Sequence, residues 1–191
     1  MSRELVALVG LPGSGKTSFR MRHPQWVVVS KDDIRRTVFH CDYDPAYEDA
    51  VERIFAATLI EVVESQAPVV CVDNTNLTRA ERQPLVEVAR LAHREPIVHV
   101  MPFELLDVVY ARKQEALRTL ARDPSGVKVN GFPCDRYEAI YRRYEEVCED
   151  EGFVRILREA IPPALRRETR RARRPVSQPE DDLMPLPLFV P

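Results

Sequence analysis

Eight consecutive residues carry the clearest chemistry of this chain: Gly10-Leu-Pro-Gly-Ser-Gly-Lys16-Thr17. They fit the pattern G-x-x-x-x-G-K-[ST], with an apolar run before them and an amphipathic stretch after. Glycines let successive backbone N–H groups converge on phosphate oxygens without Cβ clashes, and the helix that follows adds the positive end of its dipole. In such a loop the lysine reaches the β- and γ-phosphates of a nucleotide and the Ser/Thr hydroxyl ligates Mg²⁺. Gly13, Ser14, Gly15, Lys16, Thr17 and Ser18 are therefore the expected phosphate-binding set, with Thr17 on the metal. Three of the six glycines and one of the four lysines fall here, a concentration that an ordinary glycine turn does not need.

A phosphate loop alone does not separate kinases from switches or motors. In an open α/β sheet ligands lie beyond the carboxyl ends of the strands, so the residues just after each apolar run decide the matter. After the second run comes Ser30-Lys-Asp32-Asp33-Ile-Arg35-Arg36. Phosphoryl transfer to an alcohol requires a carboxylate that orients the hydroxyl and accepts its proton, and Asp32 stands where that carboxylate belongs. Arg35, three residues on, shares its helical face and offers a bidentate fork to an anionic acceptor. The spacing Ser30-x-x-Asp33 also makes a helix capping box, so Asp33 caps in one reading while Asp32 reacts. After the third run comes Asp73-Asn-Thr-Asn76. An apolar strand ending in Asp has the form that orients Mg²⁺ or its waters, although Asp and Asn also simply start turns. Asp73 is thus a candidate metal ligand, and Asp73 and Asn76 are candidate substrate contacts beside Arg35.

Further along, Arg112, Arg118 and Arg122 decorate a helical stretch that runs into a segment containing Pro124, Gly126, Gly131 and Pro133. A helical lid over about 112–134 suits this pattern: arginines there stabilise transition-state charge, and closure excludes water. Arg112 is expected on the nucleotide, and Arg118 and Arg122 on the reacting phosphate. A solvated helix face, with Arg paired to neighbours such as Glu115, is the competing expectation for each of them.

The elements that must hold these residues follow from the periodicity. Apolar, β-branched runs at 5–9, 26–29, 69–72 and 97–100, with a weaker one at 153–157, read as strands. Helical patterns lie at 16–21, 45–65, 78–92, 104–121 and 135–150. Thr78-Arg-Ala-Glu81 reads as a capping box, and Pro84 is expected to shorten or kink its helix. Strands apolar on both faces and alternating with helices mean a parallel sheet covered on both sides, so the fold class is α/β.

Composition bounds the rest. The 191 residues are 45% hydrophobic and 30% charged, as in a globular protein with one sizeable domain. The four cysteines are scattered without a C-x-x-C pair, which argues against a disulfide scaffold or a zinc module. No apolar run approaches a membrane span or a signal-peptide core, so a cytoplasmic protein is expected. Residues 161–191 hold seven of the sixteen prolines and six arginines, and read as a disordered tail after a domain at 1–160. The tail carries +2, which leaves −4 on the body. That balance counts against broad coating of nucleic acid, but not against gripping one chain end.

Taken in order, Gly-x-Pro-Gly-Ser-Gly-Lys-Thr, Lys-Asp-Asp-Ile-Arg and Val-Asp-Asn-Thr-Asn-Leu-Thr-x-x-Glu-Arg resemble the P-loop kinase domain of the phage-type polynucleotide 5′-kinase family. The resemblance covers roughly residues 4–150. It implies a P-loop NTPase/kinase fold with a parallel five-stranded sheet flanked by helices, and transfer of the γ-phosphate of ATP, with Mg²⁺, to a nucleic-acid 5′-hydroxyl in DNA or RNA. It implies Lys16 and Thr17 on phosphates and metal, Asp32 as general base, Arg35 on the acceptor phosphate and Arg112 as the first lid arginine. The family's second lid arginine falls at Ala116 in this chain, so Arg118 or Arg122 is expected to supply that charge from a shifted register. The family's frequent companion, a phosphatase domain, is not expected within these 191 residues. A small-molecule kinase and a non-catalytic nucleotide-binding module are the alternatives.

Overall fold

The computed structural model describes residues 2–160. Five strands, β1 (Glu4–Val9), β2 (Val27–Val29), β3 (Val69–Val72), β4 (Glu95–Val100) and β5 (Arg155–Arg158), form one sheet in the order β2-β3-β1-β4-β5. All four pairings are parallel, with Val6 beside Cys71 on one flank and Ile97 on the other. Because strand side chains alternate between faces, β1 feeds two cores. Leu5, Ala7 and Val9 pack with Phe55, Leu59 and Val63 of α3 (Glu48–Glu64) and with Leu85, Val86 and Ala89 of α4 (Arg79–Leu91). Val6 and Leu8 face the other way, onto Phe19 of α1 (Lys16–Arg20) and Met101. The continuous apolar runs read as central strands are therefore buried on both sides.

The remaining helices are α2 (Lys31–Val38), α5 (Leu106–Ala121) and α6 (Cys134–Tyr141). Two expectations change. Pro84 does not shorten α4, which runs on to Leu91. Pro84 lies on the exposed side of that helix, and the Ala80 carbonyl whose partner it removes belongs to an exposed residue. The capping box of Thr78 and Glu81 forms as expected. The helix expected over 135–150 ends at Tyr141 instead. Beyond it the backbone is claimed from a distance. Glu145 N–H donates to the Leu77 carbonyl at 3.0 Å, and the Glu145 carbonyl accepts from Arg82 at 3.2 Å, which pins a chain that a local pattern would wind into helix. The arginine- and proline-rich segment 161–191 lies outside the described residues.

Candidate active site

Parallel pairing brings the carboxyl ends of β1, β2 and β3 to one edge, and hydrogen bonds stitch their exits together. Gly10 N–H donates to the Thr75 carbonyl at 3.0 Å, and Asp73 N–H to Val29 at 3.1 Å. The Asn74 side chain accepts the Lys31 N–H at 3.1 Å, which joins the exit of β3 to the start of α2. The Ser30 hydroxyl caps α2 by accepting Asp33 N–H at 3.3 Å. Asp32 is thereby fixed in the first turn of α2, where β2 opens onto the phosphate loop.

The loop itself has the geometry its glycines predict. Gly13 and Gly15 adopt φ of 84° and 97°, in the left-handed region. A Cβ on Gly13 would lie 2.3 Å from the Val109 carbonyl oxygen of α5, so only glycine fits between loop and helix. Lys16 Nζ turns back onto the Gly10 and Leu11 carbonyls at 2.5 and 2.9 Å. Burial pushes its pKa down to about 8, against the pull of Asp73 and Asp32. Ser14 Oγ is buried without a hydrogen-bond partner among the described residues. A buried hydroxyl with no partner and an ammonium folded onto loop carbonyls suit a site built for phosphate oxygens. Thr17 and Ser18 stand exposed in the first turn of α1.

Asp32 is about half exposed, and its carboxylate accepts from Arg35 Nη1 at 2.5 Å. Desolvation pushes its pKa up, but Lys113, Arg35, Arg36 and Lys16 together outweigh that and hold it below the ordinary carboxylate value. It is ionised at neutral pH, as a general base must be. Asp73 is nearly buried, and its carboxylate faces Arg20 Nε at 3.2 Å. Burial pushes its pKa above the ordinary value, while Lys16 and Arg20 pull the other way.

Other expected residues are committed elsewhere. Both arms of the Arg35 fork hold Glu48 of α3, at 2.8 and 2.7 Å, so its bidentate face is not turned to an acceptor. Asn76 is buried in a left-handed conformation (φ 47°) and donates to the Leu8 carbonyl at 2.8 Å. It braces the exits of β3 and β1 and does not face outward to a substrate. Arg112 forms a bidentate pair with Glu104 at 2.5 and 3.2 Å. Arg118 pairs with Glu115 at 3.0 Å on the exposed face of α5, and Arg122 is exposed at the end of that helix. Among the described residues no hydrogen bond or ion pair joins Arg118 or Arg122 to Asp32 or to the phosphate loop.

The segment expected as a lid is held at several points. Lys128 N–H donates to His40 at 2.7 Å and Asp42 N–H to Lys128 at 3.0 Å. Asn130 N–H donates to the Asp42 side chain at 2.8 Å, which ties the segment after α5 to the loop after α2. Tyr137 Oη donates to the Pro12 carbonyl at 2.6 Å, tying α6 to the phosphate loop.

Two residues at the site escaped the sequence reading. Arg20 bridges Asp33 (2.7 and 3.2 Å) and Asp73, and locks α1 to the exits of β2 and β3. Its spacing of four from Lys16 on one helix was the available signal. Lys113 of α5 is the first cation acting on Asp32 and also acts on Lys16, yet it sits beside the more conspicuous Arg112.

The model of the AAA domain family AAA_33 matches residues 5–132, about two thirds of the sequence. The chain belongs to that family. No curated protein matches this AAA_33 chain. Solved structures share its fold. A chain of the Pnkp1/Rnl/Hen1 RNA repair complex superposes with a TM-score of 0.58 at 21% identity, over 74% of this chain and 44% of that one. The present chain thus spans less than half the length of that relative. Chaetomium thermophilum Kti12 in complex with ADP-AlF3 gives 0.53 at 20% identity, over 86% and 94% of the two chains. A gluconokinase from Sinorhizobium meliloti 1021 gives 0.50 at 19%, over 88% and 89%. The AAA_33 domain here carries a phosphate loop and shares its fold with a structure solved with ADP-AlF3. No helix of the described residues is long and apolar enough to cross a membrane.

Proposed function

We propose that this AAA_33 domain transfers the γ-phosphate of ATP to the 5′-hydroxyl end of DNA or RNA, with Asp32 as general base. The observation that carries the proposal is the ionised Asp32 carboxylate, held at the mouth of a phosphate loop and acted on by Lys16. A switch or motor has no need of a base there. Three ordered motifs resemble the phage-type polynucleotide kinases, and the likeness to a chain of an RNA repair complex supports the nucleic-acid acceptor.

When ATP enters, Lys16 leaves the Gly10 and Leu11 carbonyls for the β- and γ-phosphates, and Ser14 and the loop amides take the remaining oxygens. Asp32 accepts the proton of the attacking hydroxyl as its oxygen bonds to the γ-phosphorus. The bond from that phosphorus to the β,γ-bridging oxygen breaks, and ADP carries the electrons away. The positive charge that Mg²⁺ would supply at this loop is the chemistry the metal adds. The Thr17 hydroxyl, exposed in the first turn of α1, and the Asp73 carboxylate, whose charge acts on Lys16, are the residues that would hold it.

A small-molecule acceptor is the second reading. It is favoured by the Glu48 carboxylate occupying the Arg35 fork, which leaves that arginine engaged before any acceptor phosphate arrives. Incubation with γ-labelled ATP and a panel of 5′-hydroxyl DNA, 5′-hydroxyl RNA, nucleosides and sugars separates the two. Label on oligonucleotide 5′ ends is the expected outcome. Label confined to small molecules overturns the nucleic-acid acceptor.

The low pKa of Lys16 sets a second expectation. An ammonium with a pKa near 8 is charged below that pH and lost above it. kcat/KM for ATP, which reports the free enzyme, therefore falls as pH rises through about 8. The kcat profile stays level to higher pH, because bound phosphate holds the proton on Lys16. Steady-state rates between pH 6 and 10 check this, and a kcat/KM that stays flat to pH 10 refutes it.

A further inference from the structure

Resting on the phosphotransferase reading above, we infer that Lys113 is the lid cation that grips the transferred phosphoryl group, and that none of the three lid arginines fills that role. The argument begins with how α5 is attached. Its backbone lies against the phosphate loop so closely that a Cβ on Gly13 would meet the Val109 carbonyl at 2.3 Å and the Lys113 amide nitrogen at 3.2 Å. Leu11, Val109 and Tyr137 form a buried apolar cluster beneath this contact. The base of the lid is thus bolted to the loop, and residue 113 is held at the loop itself. Lys113 lies one turn beyond Val109 and shares its face of the helix.

Lys113 Nζ lies 5.6 Å from the centre of the Phe132 ring. The Phe132 carbonyl in turn accepts from Gln114 at 2.7 Å and Tyr110 at 3.1 Å, so the platform under the ammonium is fixed. Among the described residues Lys113 makes no ion pair and its ammonium makes no hydrogen bond, although its side chain is partly buried. Its charge acts on both Asp32 and Lys16. Burial pushes its own pKa down, against the pull of Asp32, as expected of a cation that lacks a close partner. An ammonium carried on a helix turn packed against Gly13, whose charge reaches both Asp32 and Lys16, is within reach of a γ-phosphoryl group held in the loop. An arriving anion supplies the partner that the protein withholds.

The arginines lack this placement. Arg112 is engaged with Glu104, Arg118 with Glu115, and Arg122 is exposed at the end of the helix. Lys113 also accounts for the missing second lid arginine at Ala116, because the charge is carried three residues earlier on the same helix.

The test compares Lys113→Met and Lys113→Arg with the wild-type chain, using ATP turnover, ADP affinity and affinity for ADP with aluminium fluoride. A cation that acts on the transferred group lowers kcat by about 10²-fold or more when removed, as loss of one preorganised donor does elsewhere. Lys113→Met is therefore expected to lose that factor in kcat and the extra affinity for the aluminium fluoride complex, with ADP affinity unchanged. Lys113→Arg is expected to recover most of both. A Lys113→Met variant whose kcat and aluminium fluoride affinity stay within about threefold of wild type overturns the inference. Equal losses in Lys113→Met and Lys113→Arg, with a lowered melting temperature in both, also overturn it by marking the side chain as structural. Failure of the phosphotransferase reading looks different, since the wild-type chain then transfers label to no acceptor. Nucleotide binding by the three proteins still tests Lys113 in that event.

Discussion

Asp32→Asn is expected to lower kcat by about 10² to 10⁴-fold, the range that a positioned general base contributes, while ATP binds as tightly as before or slightly more so. Asparagine keeps the size of the side chain and an oxygen that still accepts from Arg35 Nη1, so α2 and its pairing with α3 stay in place. What is lost is the ability to take a proton. Four cations act on Asp32, and removing its charge leaves them all to the triphosphate, which is why nucleotide affinity does not fall. The same cations hold its pKa below the ordinary carboxylate value, so Asp32 keeps its base form down to the lower end of that range. The rate then shows no acid limb from Asp32 between pH 5 and 7. Calorimetric titration with ATP, set beside steady-state rates, separates the two effects. A kcat within about threefold of wild type would remove Asp32 from the mechanism.

The parts of this site that were legible in the sequence are those written within a few residues of one another. The phosphate loop is eight consecutive residues, Asp32 follows a strand directly, and the capping of Ser30 and of Thr78 spans three positions, so local spacing carries them. The partners of the arginines were not legible. Arg35 meets Glu48 from thirteen residues away, and Arg82 meets Glu151 from sixty-nine. Only the packing of α2 on α3, and of α4 on the segment before β5, creates those pairs. The composition records the outcome. Only four of the 28 basic residues are lysines, and two of those four, Lys16 and Lys113, act on Asp32. Arginine does the structural bonding. Arg94, for instance, donates to the carbonyls of Val63, Ser65, Ala67 and Glu4, and so closes the end of α3. The planar five-donor guanidinium suits such multiple contacts, whereas a compact ammonium suits a mobile phosphate. The expectation that Arg112, Arg118 and Arg122 serve the phosphates, weighed against a solvated helix face, passes over Lys113, to which the inference above gives that role.

Arg82→Ala is expected to destabilise the domain by about 3–5 kcal/mol, the cost of leaving one member of a buried ion pair alone. Arg82 is wholly buried, and its fork holds Glu151 at 2.6 and 2.7 Å. The same guanidinium donates to the Leu77 carbonyl at 2.8 Å and the Asn76 carbonyl at 3.1 Å. Removing it strands a carboxylate and several carbonyls, and it loosens the turn through Asn76 and Leu77 that follows Asp73. For a domain of this size the expected drop in melting temperature is on the order of 10 °C. The pH dependence gives the effect a signature. Burial pushes the Glu151 carboxyl up, but the Arg82 fork and the Cys148 N–H pull it below its ordinary value, so in the wild type its contribution is present above the unfolded pKa and is lost as pH falls. Without Arg82 the same carboxyl is driven upward and gains a proton at mild acidity, which relieves the buried charge. The stability gap between wild type and variant therefore narrows as pH falls from 7 towards 4. Replacing both partners, as Arg82→Met with Glu151→Leu, removes the stranded charge and is expected to recover much of the loss. Urea unfolding of the three variants across that pH range measures this. A gap that stays constant with pH, or a double variant no more stable than Arg82→Ala, would show that the ion pair is not what holds the turn behind Asp73 in place.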